Sequence, residues 1–173
     1  MPQPIWDPLW RGGPTPECGM HPRTQSEPLG LGDRTDPAPG FVSLPVRLPP
    51  GADLRRALEG VLAEHGAEAG FVLAGIGSLR PALIRLAGTE EPMCLDEDLE
   101  VLTLSGSLAP AGSHLHVSVS RGDGRVLGGH VAYGCTVRTT AEVLLAILPH
   151  WRFSREHDVR TGYDELVVRS GSG

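Results

Sequence analysis

The stretch that decides the fold runs from Gly112 to Val143 and reads GSHLHVSVSRGDGRVLGGHVAYGCTVRTTAEV. Apolar and polar residues alternate from His114 to Ser120 and again from Arg125 to Tyr133, and Gly122-Asp123-Gly124 lies between the two runs. Alternation with a period of two is typical of a strand with one buried face, and glycine with aspartate is typical of a tight turn. The stretch therefore predicts a β-hairpin.

The length of the turn decides which side chains share a face of this hairpin. A two-residue Asp-Gly turn would place His130 opposite Val117, and each face would then mix apolar and polar groups. A three-residue Gly-Asp-Gly turn, with Gly124 in the left-handed conformation of a bulge, pairs Arg121 with Arg125 instead. Because a slip of one residue moves every side chain to the opposite face, the cleaner separation favours the three-residue turn.

In that register the polar face of the hairpin carries three histidines. We expect His116 directly opposite His130, at a Cβ separation of about 5 Å, with His114 on the diagonal. Three neutral imidazoles on rigid strands match a site for a divalent metal ion whose fourth ligand is water or substrate. The apolar face holds Leu115, Val117, Val119, Leu127 and Val131, and the polar face holds His114, His116, Ser118, Ser120, Gly128 and His130.

Two interpretations of the histidines stay open. In the first they bind a divalent metal, with zinc as the first expectation, although imidazole also suits nickel, copper and iron. In the second they are structural, forming hydrogen bonds to backbone and carboxylate groups or contacts between subunits. The sharing of one face by three histidines favours the first.

Further residues close to the hairpin in sequence are candidates for a ligand pocket. Gly128 either leaves room for a ligand beside His130 or marks a close approach of two backbones. Cys135 is either a ligand or a small buried residue, and Thr139 to Glu142 has the Thr-x-x-Glu pattern of a helix capping box. The candidate pocket residues are Ser118, Gly128, Cys135, Arg138 and Glu142.

The rest of the sequence indicates an α+β fold, mainly an antiparallel sheet with flanking helices. One helix is predicted from Asp53 to His65, ended by Gly66, and a second from Thr140 to Leu148. Pro45 predicts that the strand containing it lies at a sheet edge. Besides the hairpin, strands are predicted at Val42–Leu48, Gly70–Ile76, Ala82–Ala87, Leu99–Leu104, Trp151–His157 and Glu165–Val168.

Composition bounds the organisation of the chain. Residues 1–40 are rich in proline and glycine and are predicted to form an irregular arm, residues 41–169 a single domain, and residues 170–173 a tail. No apolar run approaches the roughly 18 residues of a membrane helix, and the start lacks a signal-peptide pattern, so a cytoplasmic location away from membranes is expected. The three cysteines are widely spaced and predict no disulfide framework.

The net charge of the chain does not favour binding to nucleic acid. The net charge is −6, and the segment from Thr89 to Glu100 contains six acidic residues and no basic one. A negative overall field does not attract phosphate backbones. DNA binding is therefore not expected.

Four separated motifs occur in order along the chain: Gly75–Leu79, Leu99–Ser107, Gly112–His116 with Gly128–His130, and Val137–Val143. Together they resemble the PPC domain, the "plants and prokaryotes conserved" domain, over about residues 41–169. The resemblance implies an antiparallel sheet with flanking helices, assembly as a homotrimer, and metal ligands at the positions of His114, His116 and His130. Plant members carry the domain behind AT-hooks in nuclear proteins, where it mediates self-association and partner binding.

The resemblance leaves three functions to weigh. The favoured one is a stand-alone bacterial homotrimer with a three-histidine site for a divalent metal and a small molecule, where a metal could support hydrolysis or lyase chemistry. The second is a non-catalytic oligomerisation and partner-binding module. The third is a DNA-associated regulator, since bacterial members are often labelled DNA-binding. Against the third, Arg11–Pro14 is the nearest stretch to an AT-hook and lacks the second arginine and a basic flank.

Overall fold

The structure is a computed structural model that describes residues 40–171, which form ten strands and one helix. Most of the arm predicted for residues 1–40 therefore lies outside the described residues, as does the stretch Arg11–Pro14. Helix α1 spans Leu54–Glu64. The strands are β1 Val42–Leu48, β2 Gly70–Leu79, β3 Ala82–Arg85, β4 Met93–Leu95, β5 Leu99–Leu108, β6 His114–Ser120, β7 Val126–Val131, β8 Val137–Ile147, β9 Trp151–Asp158 and β10 Tyr163–Ser170.

Eight of these strands form one sheet in the order β1-β8-β2-β5-β6-β7-β3-β4, and β9 and β10 form a separate two-stranded sheet. Neighbouring strands run antiparallel throughout both sheets. The predicted α+β class with a mainly antiparallel sheet is confirmed. Strand β1 lies at an edge, as Pro45 predicts, because a residue without a backbone N–H is tolerated where one side of the strand has no partner.

Helix α1 covers the inner face of the large sheet with an apolar stripe. The side chain of Asp53 caps the helix by accepting a hydrogen bond of 3.0 Å from the backbone N–H of Arg56. Leu54, Leu58 and Leu62 are buried at intervals of four residues, which is the spacing of one helix face. The predicted helix is confirmed. At 11 residues it is too short to span a bilayer, and no other helix among residues 40–171 is long and apolar enough to do so.

The second predicted helix is wrong, because residues 140–147 belong to strand β8. Strand β8 pairs with β1 on one side and with β2 on the other, and both neighbours supply its hydrogen bonds. Val143, Leu145 and Ile147 are buried at alternate positions, as in a strand with one buried face. The prediction was wrong because a short apolar run in a sequence also fits a helical period. The capping box predicted for Thr139 to Glu142 is therefore also wrong. A single helix flanks the sheet in residues 40–171.

Candidate metal centre

Strands β6 and β7 form the predicted hairpin in the predicted register. The backbone N–H of Arg121 donates to the carbonyl oxygen of Arg125 at 2.9 Å, and that of Gly124 donates to the carbonyl oxygen of Arg121 at 2.9 Å. Gly124 has a φ of 82°, the left-handed conformation that the three-residue turn requires. His116 consequently lies directly opposite His130.

The three hairpin histidines converge on one point. Nε2 of His114 lies 3.1 Å from Nε2 of His116 and 3.1 Å from Nδ1 of His130, and the latter two atoms are also 3.1 Å apart. The three nitrogens thus form an equilateral triangle. His114 and His116 are exposed and His130 is half-buried, so one side of the triangle is open to a further ligand.

Hydrogen bonds alone do not explain this triangle. A ring nitrogen of a neutral imidazole carries either one proton or one lone pair. Three such atoms can therefore form one well-directed hydrogen bond among themselves, and the third nitrogen is left without a proper partner. A cation at the centre would accept a lone pair from all three nitrogens at once.

The size of the triangle fits a divalent transition metal. With metal–nitrogen distances of about 2.0–2.1 Å, ligand nitrogens lie about 3.3–3.4 Å apart at tetrahedral angles and about 2.9 Å apart at right angles. The observed edge of 3.1 Å falls between these values. Residues His114, His116 and His130 therefore fit the three-histidine centre that the sequence and the family resemblance both indicate.

The electrostatic environment keeps two of the histidines in the form that binds metals. Burial lowers the pKa of His114, and the positive charge of Arg155 lowers it further, while Glu165 has a weaker opposite effect. Burial is also the main cause of the lowered pKa of His130, followed by the charge of Arg85. A lowered pKa holds both rings neutral at neutral pH, with a lone pair available for a cation.

The glycine pair before His130 reflects close backbone approach. A Cβ on Gly128 would lie 2.8 Å from the carbonyl oxygen of Val117, and one on Gly129 would lie 2.6 Å from that of Arg85. Strand β7 is thus clamped between β6 and β3. Of the two roles open for Gly128 in the sequence, close approach is the one that the contacts support.

The other predicted pocket residues divide into two groups. Ser118 and Gly128 lie opposite each other on the hairpin, two residues from His116 and His130, and so share the face of the histidines. The remaining three, Cys135, Arg138 and Glu142, lie outside the histidine cluster.

Cys135, Arg138 and Glu142 each have contacts elsewhere in the structure. Cys135 is buried and its thiol donates to the carbonyl oxygen of Leu83, and burial raises its pKa to about 11, so it is protonated at neutral pH. Arg138 forms an ion pair of 2.7 Å with Asp98. Glu142 is exposed on β8 and lines a groove of about 570 Å³ together with Ile76.

A larger cleft, of about 1000 Å³, opens beside His114 and His130. Its walls include Arg85, Arg155 and Ser113, which the sequence did not single out. The pairing of β3 with β7 brings Arg85 to the histidines and the docking of β9 brings Arg155, and neither contact leaves a signal in the local pattern. Ser113 directly precedes His114 in the chain.

The fold and the histidine cluster define an α+β protein with a candidate metal centre on an antiparallel sheet. The chain belongs to the Plants and Prokaryotes Conserved (PCC) domain family, which it matches over residues 36–149. The predicted resemblance is therefore confirmed. Strands β9 and β10 lie beyond the matched residues.

Two solved structures show the same fold. A hypothetical protein from Salmonella enterica is 36% identical, with a TM-score of 0.72, and the match covers 77% of this chain and 98% of that one. A metal-containing protein from Archaeoglobus fulgidus is 30% identical, with a TM-score of 0.65 and coverage of 76% and 96%.

A similar stretch also occurs within a longer protein. The bifunctional protein GlmU of Synechococcus sp. (strain JA-2-3B'a(2-13)) is 41% identical over 172 residues, which is 99% of this chain and 25% of that protein. The chain thus spans about a quarter of the length of this curated relative.

Proposed function

We propose that the chain binds one divalent metal ion through His114, His116 and His130 and presents it to a small molecule. The observation that carries the proposal is the triangle of ring nitrogens with edges of 3.1 Å on an open face of the sheet. Zinc is the first candidate, with nickel, copper and iron as alternatives that imidazole also suits. The similarity to a metal-containing protein from A. fulgidus supports the same assignment.

The chain's own residues give such a centre its properties. A bound metal would lower the pKa of a coordinated water toward about 7, as hydrolytic and lyase chemistry requires. The pleat of β6 and β7 holds the imidazoles in place, and burial with nearby arginines keeps His114 and His130 neutral. The cleft beside the histidines supplies room for a small molecule.

Self-association is the second part of the proposal. Large apolar side chains are exposed on β2, β5 and β8, which are neighbours in the sheet, and exposed apolar patches mark interaction sites. We assign this surface to other copies of the chain, in the homotrimer that the PPC resemblance implies. The exposed side chains, with their exposed fractions, are Phe71 37%, Leu73 48%, Ile76 57%, Leu102 47% and Leu144 38%.

The proposal places the protein in the cytoplasm. Cys94 and Cys135 are both free thiols in the described part of the chain, and Cys135 uses its thiol as a hydrogen-bond donor. Unpaired cysteines suit a reducing compartment.

Metal content tests the proposal. Untagged wild-type protein, His116→Ala and the control Ser118→Ala are supplied with zinc, dialysed, and analysed by mass spectrometry for metal per subunit. The wild type and Ser118→Ala should retain about one zinc, because Ser118 shares the face of the histidines without joining their triangle. His116→Ala should retain almost none, since two ligands from one hairpin hold a divalent ion poorly.

The folds of the three proteins should agree by circular dichroism, because the buried face of the hairpin is unchanged. A wild type that retains no more zinc than His116→Ala would mean that the histidines are structural. The non-catalytic partner-binding module would then be the better explanation of the exposed apolar surface.

A further inference from the structure

Two arginines flank the histidine cluster from opposite sides. Arg85 is paired with His130 across β3 and β7, so both side chains lie on the same face of the sheet. Arg155 donates from Nη2 to the hydroxyl oxygen of Ser107 at 2.7 Å, and Ser107 is paired with His114 across β5 and β6. Both guanidinium groups line the cleft beside the histidines.

Neither of these guanidinium groups is neutralised by a carboxylate. Arg85 donates to the carbonyl oxygen of Thr89 and Arg155 to Ser107, and within residues 40–171 neither forms an ion pair. Both are half-buried. By contrast, Arg55 in the same cleft is paired with Glu59 at 3.1 Å. A half-buried guanidinium group without a counter-ion keeps charged donors from which an anion can accept hydrogen bonds.

A third residue of the cleft wall, Ser113, has a side chain without a hydrogen-bond partner among the described residues. Ser113 is 6% exposed, and its Oγ has no hydrogen-bond partner among the described residues. Its backbone N–H and carbonyl oxygen are both occupied, by Glu59 and Arg55 respectively. The hydroxyl is therefore the one polar group of Ser113 that has no partner among the described residues.

We propose that the cleft binds a small molecule carrying an oxyanion group, a carboxylate or a phosphate, through the guanidinium groups of Arg85 and Arg155. The planar fork of donors in arginine matches the oxygens of both groups, and the bond is charge-assisted. An uncharged ligand would leave both cations without a counter-ion. This inference rests on the proposed function, since it names the class of small molecule that lies beside the metal.

The charges nearest the histidines agree with an anionic ligand. Three carboxylates, Glu90, Asp164 and Glu165, line the cleft as well, and within residues 40–171 none of them forms an ion pair with Arg85 or Arg155. Among the described residues that pair with the three histidines in the sheet, Arg85 is the one that carries a fixed charge. Arg155 lies beyond residue 149, where the family match ends, so this chain supplies it from its own C-terminal strand pair.

Isothermal titration calorimetry tests the proposal with three probes: inorganic phosphate, malonate and the uncharged malonamide, at constant ionic strength. The proteins are wild type, Arg85→Met, Arg155→Met and the control Arg152→Met, all loaded with zinc. Arg152 lies on the same strand as Arg155 but is ion-paired with Glu68 at 2.7 Å and does not line the cleft.

The wild type and Arg152→Met should bind phosphate or malonate and not malonamide, and the tighter of the two anions identifies the oxyanion class. Arg85→Met and Arg155→Met should each weaken binding by about tenfold or more. Arg85→Lys and Arg155→Lys keep the charge but lose the fork, so they should show intermediate weakening with an unchanged fold. Equal binding by wild type and the methionine variants, or no anion binding by the zinc-loaded wild type, would overturn the inference.

Zinc content, measured on every sample, separates this inference from the proposed function. If the wild type holds no zinc, the metal proposal fails, and the titrations are judged on the metal-free protein. Arginine-dependent anion binding there would still support the anion site, and its absence would overturn that site as well.

Discussion

His116 on β6 lies directly across from His130 on β7, and the centroids of their rings are 4.5 Å apart. The relationship depends on the three-residue turn between the strands, because a turn one residue shorter would place His130 opposite an apolar side chain. The geometry of the candidate metal centre is thus set by a turn at the far end of the hairpin.

Zinc affinity should be constant above neutral pH and should fall as the pH drops below about 6.5, the ordinary value for histidine. Burial lowers the pKa of His114 and of His130, so protons compete with the metal for these two rings only below that value. The metal-free protein should lose stability over the same range, because the unfolded state then binds protons more readily than the folded state.

Competition with a coloured chelator between pH 5 and pH 8 measures the affinity, and urea unfolding of the metal-free protein measures the stability. A loss of affinity that begins between pH 7 and pH 8 would contradict the lowered pKa values.

Gly129→Ala should destabilise the protein by about 1–3 kcal/mol and weaken zinc binding. The new Cβ would lie 2.6 Å from the carbonyl oxygen of Arg85 and 2.9 Å from Cγ2 of Ile84, so β3 would have to move away from β7. Gly122→Ala in the turn is the matched control, because a Cβ there meets nothing within 4 Å. Urea unfolding measures the stability and chelator competition measures the zinc affinity. Equal results for both variants would contradict the close approach of β3 to β7.

Leu145→Ala should destabilise the fold by about 2–5 kcal/mol, whereas Glu142→Ala should change the stability by less than about 0.5 kcal/mol. Leu145 is fully buried on the inner face of β8, and Glu142 is exposed on the other face. A capping box at residues 139–142 would instead make Glu142→Ala destabilising. Equilibrium unfolding in urea distinguishes the two results.

The wild type should have the mass of three chains by light scattering at micromolar concentration, and Ile76→Asp should be monomeric. Ile76 is 57% exposed and lies directly across from Glu142 on β8, so a carboxylate at this position, buried between copies, would face a like charge. Val159→Asp, at a residue 88% exposed between β9 and β10, should remain trimeric. A monomeric wild type would remove the trimer from the proposal.

Duplex DNA should not bind with submicromolar affinity at about 150 mM salt. The net charge of −6 opposes approach to a polyanion. Fluorescence anisotropy with a labelled duplex measures this directly. Tight binding that weakens steeply with added salt, as phosphate contacts require, would favour the DNA-associated regulator instead.

The parts of the protein that could be predicted from the sequence are those whose evidence is local. The register of the hairpin followed from alternation and from the glycines of the turn, and it brought His114, His116 and His130 together on one face. Helix α1 followed from a cap at Asp53 and a stripe with helical period.

The parts that were missed depend on partners distant in sequence. The apolar pattern of residues 140–147 fits both a helix and a strand. Pairing with β1 and β2, which lie on either side of β8, stabilises the strand. Arg85 and Arg155 reach the cleft through strand contacts that no short pattern encodes. Strand β4, Met93–Leu95, has three residues and was too short to show any alternation.

The position of β8 has a consequence for biosynthesis. Strands β1 and β2 come early in the chain, yet in the finished sheet they are joined through β8, which ends at Ile147. During translation, β1 and one edge of β2 therefore remain unpaired until β8 has been synthesised, about seventy residues after the end of β2. Open strand edges attract other strands, so the nascent chain stays open to pairing with other chains until β8 has emerged.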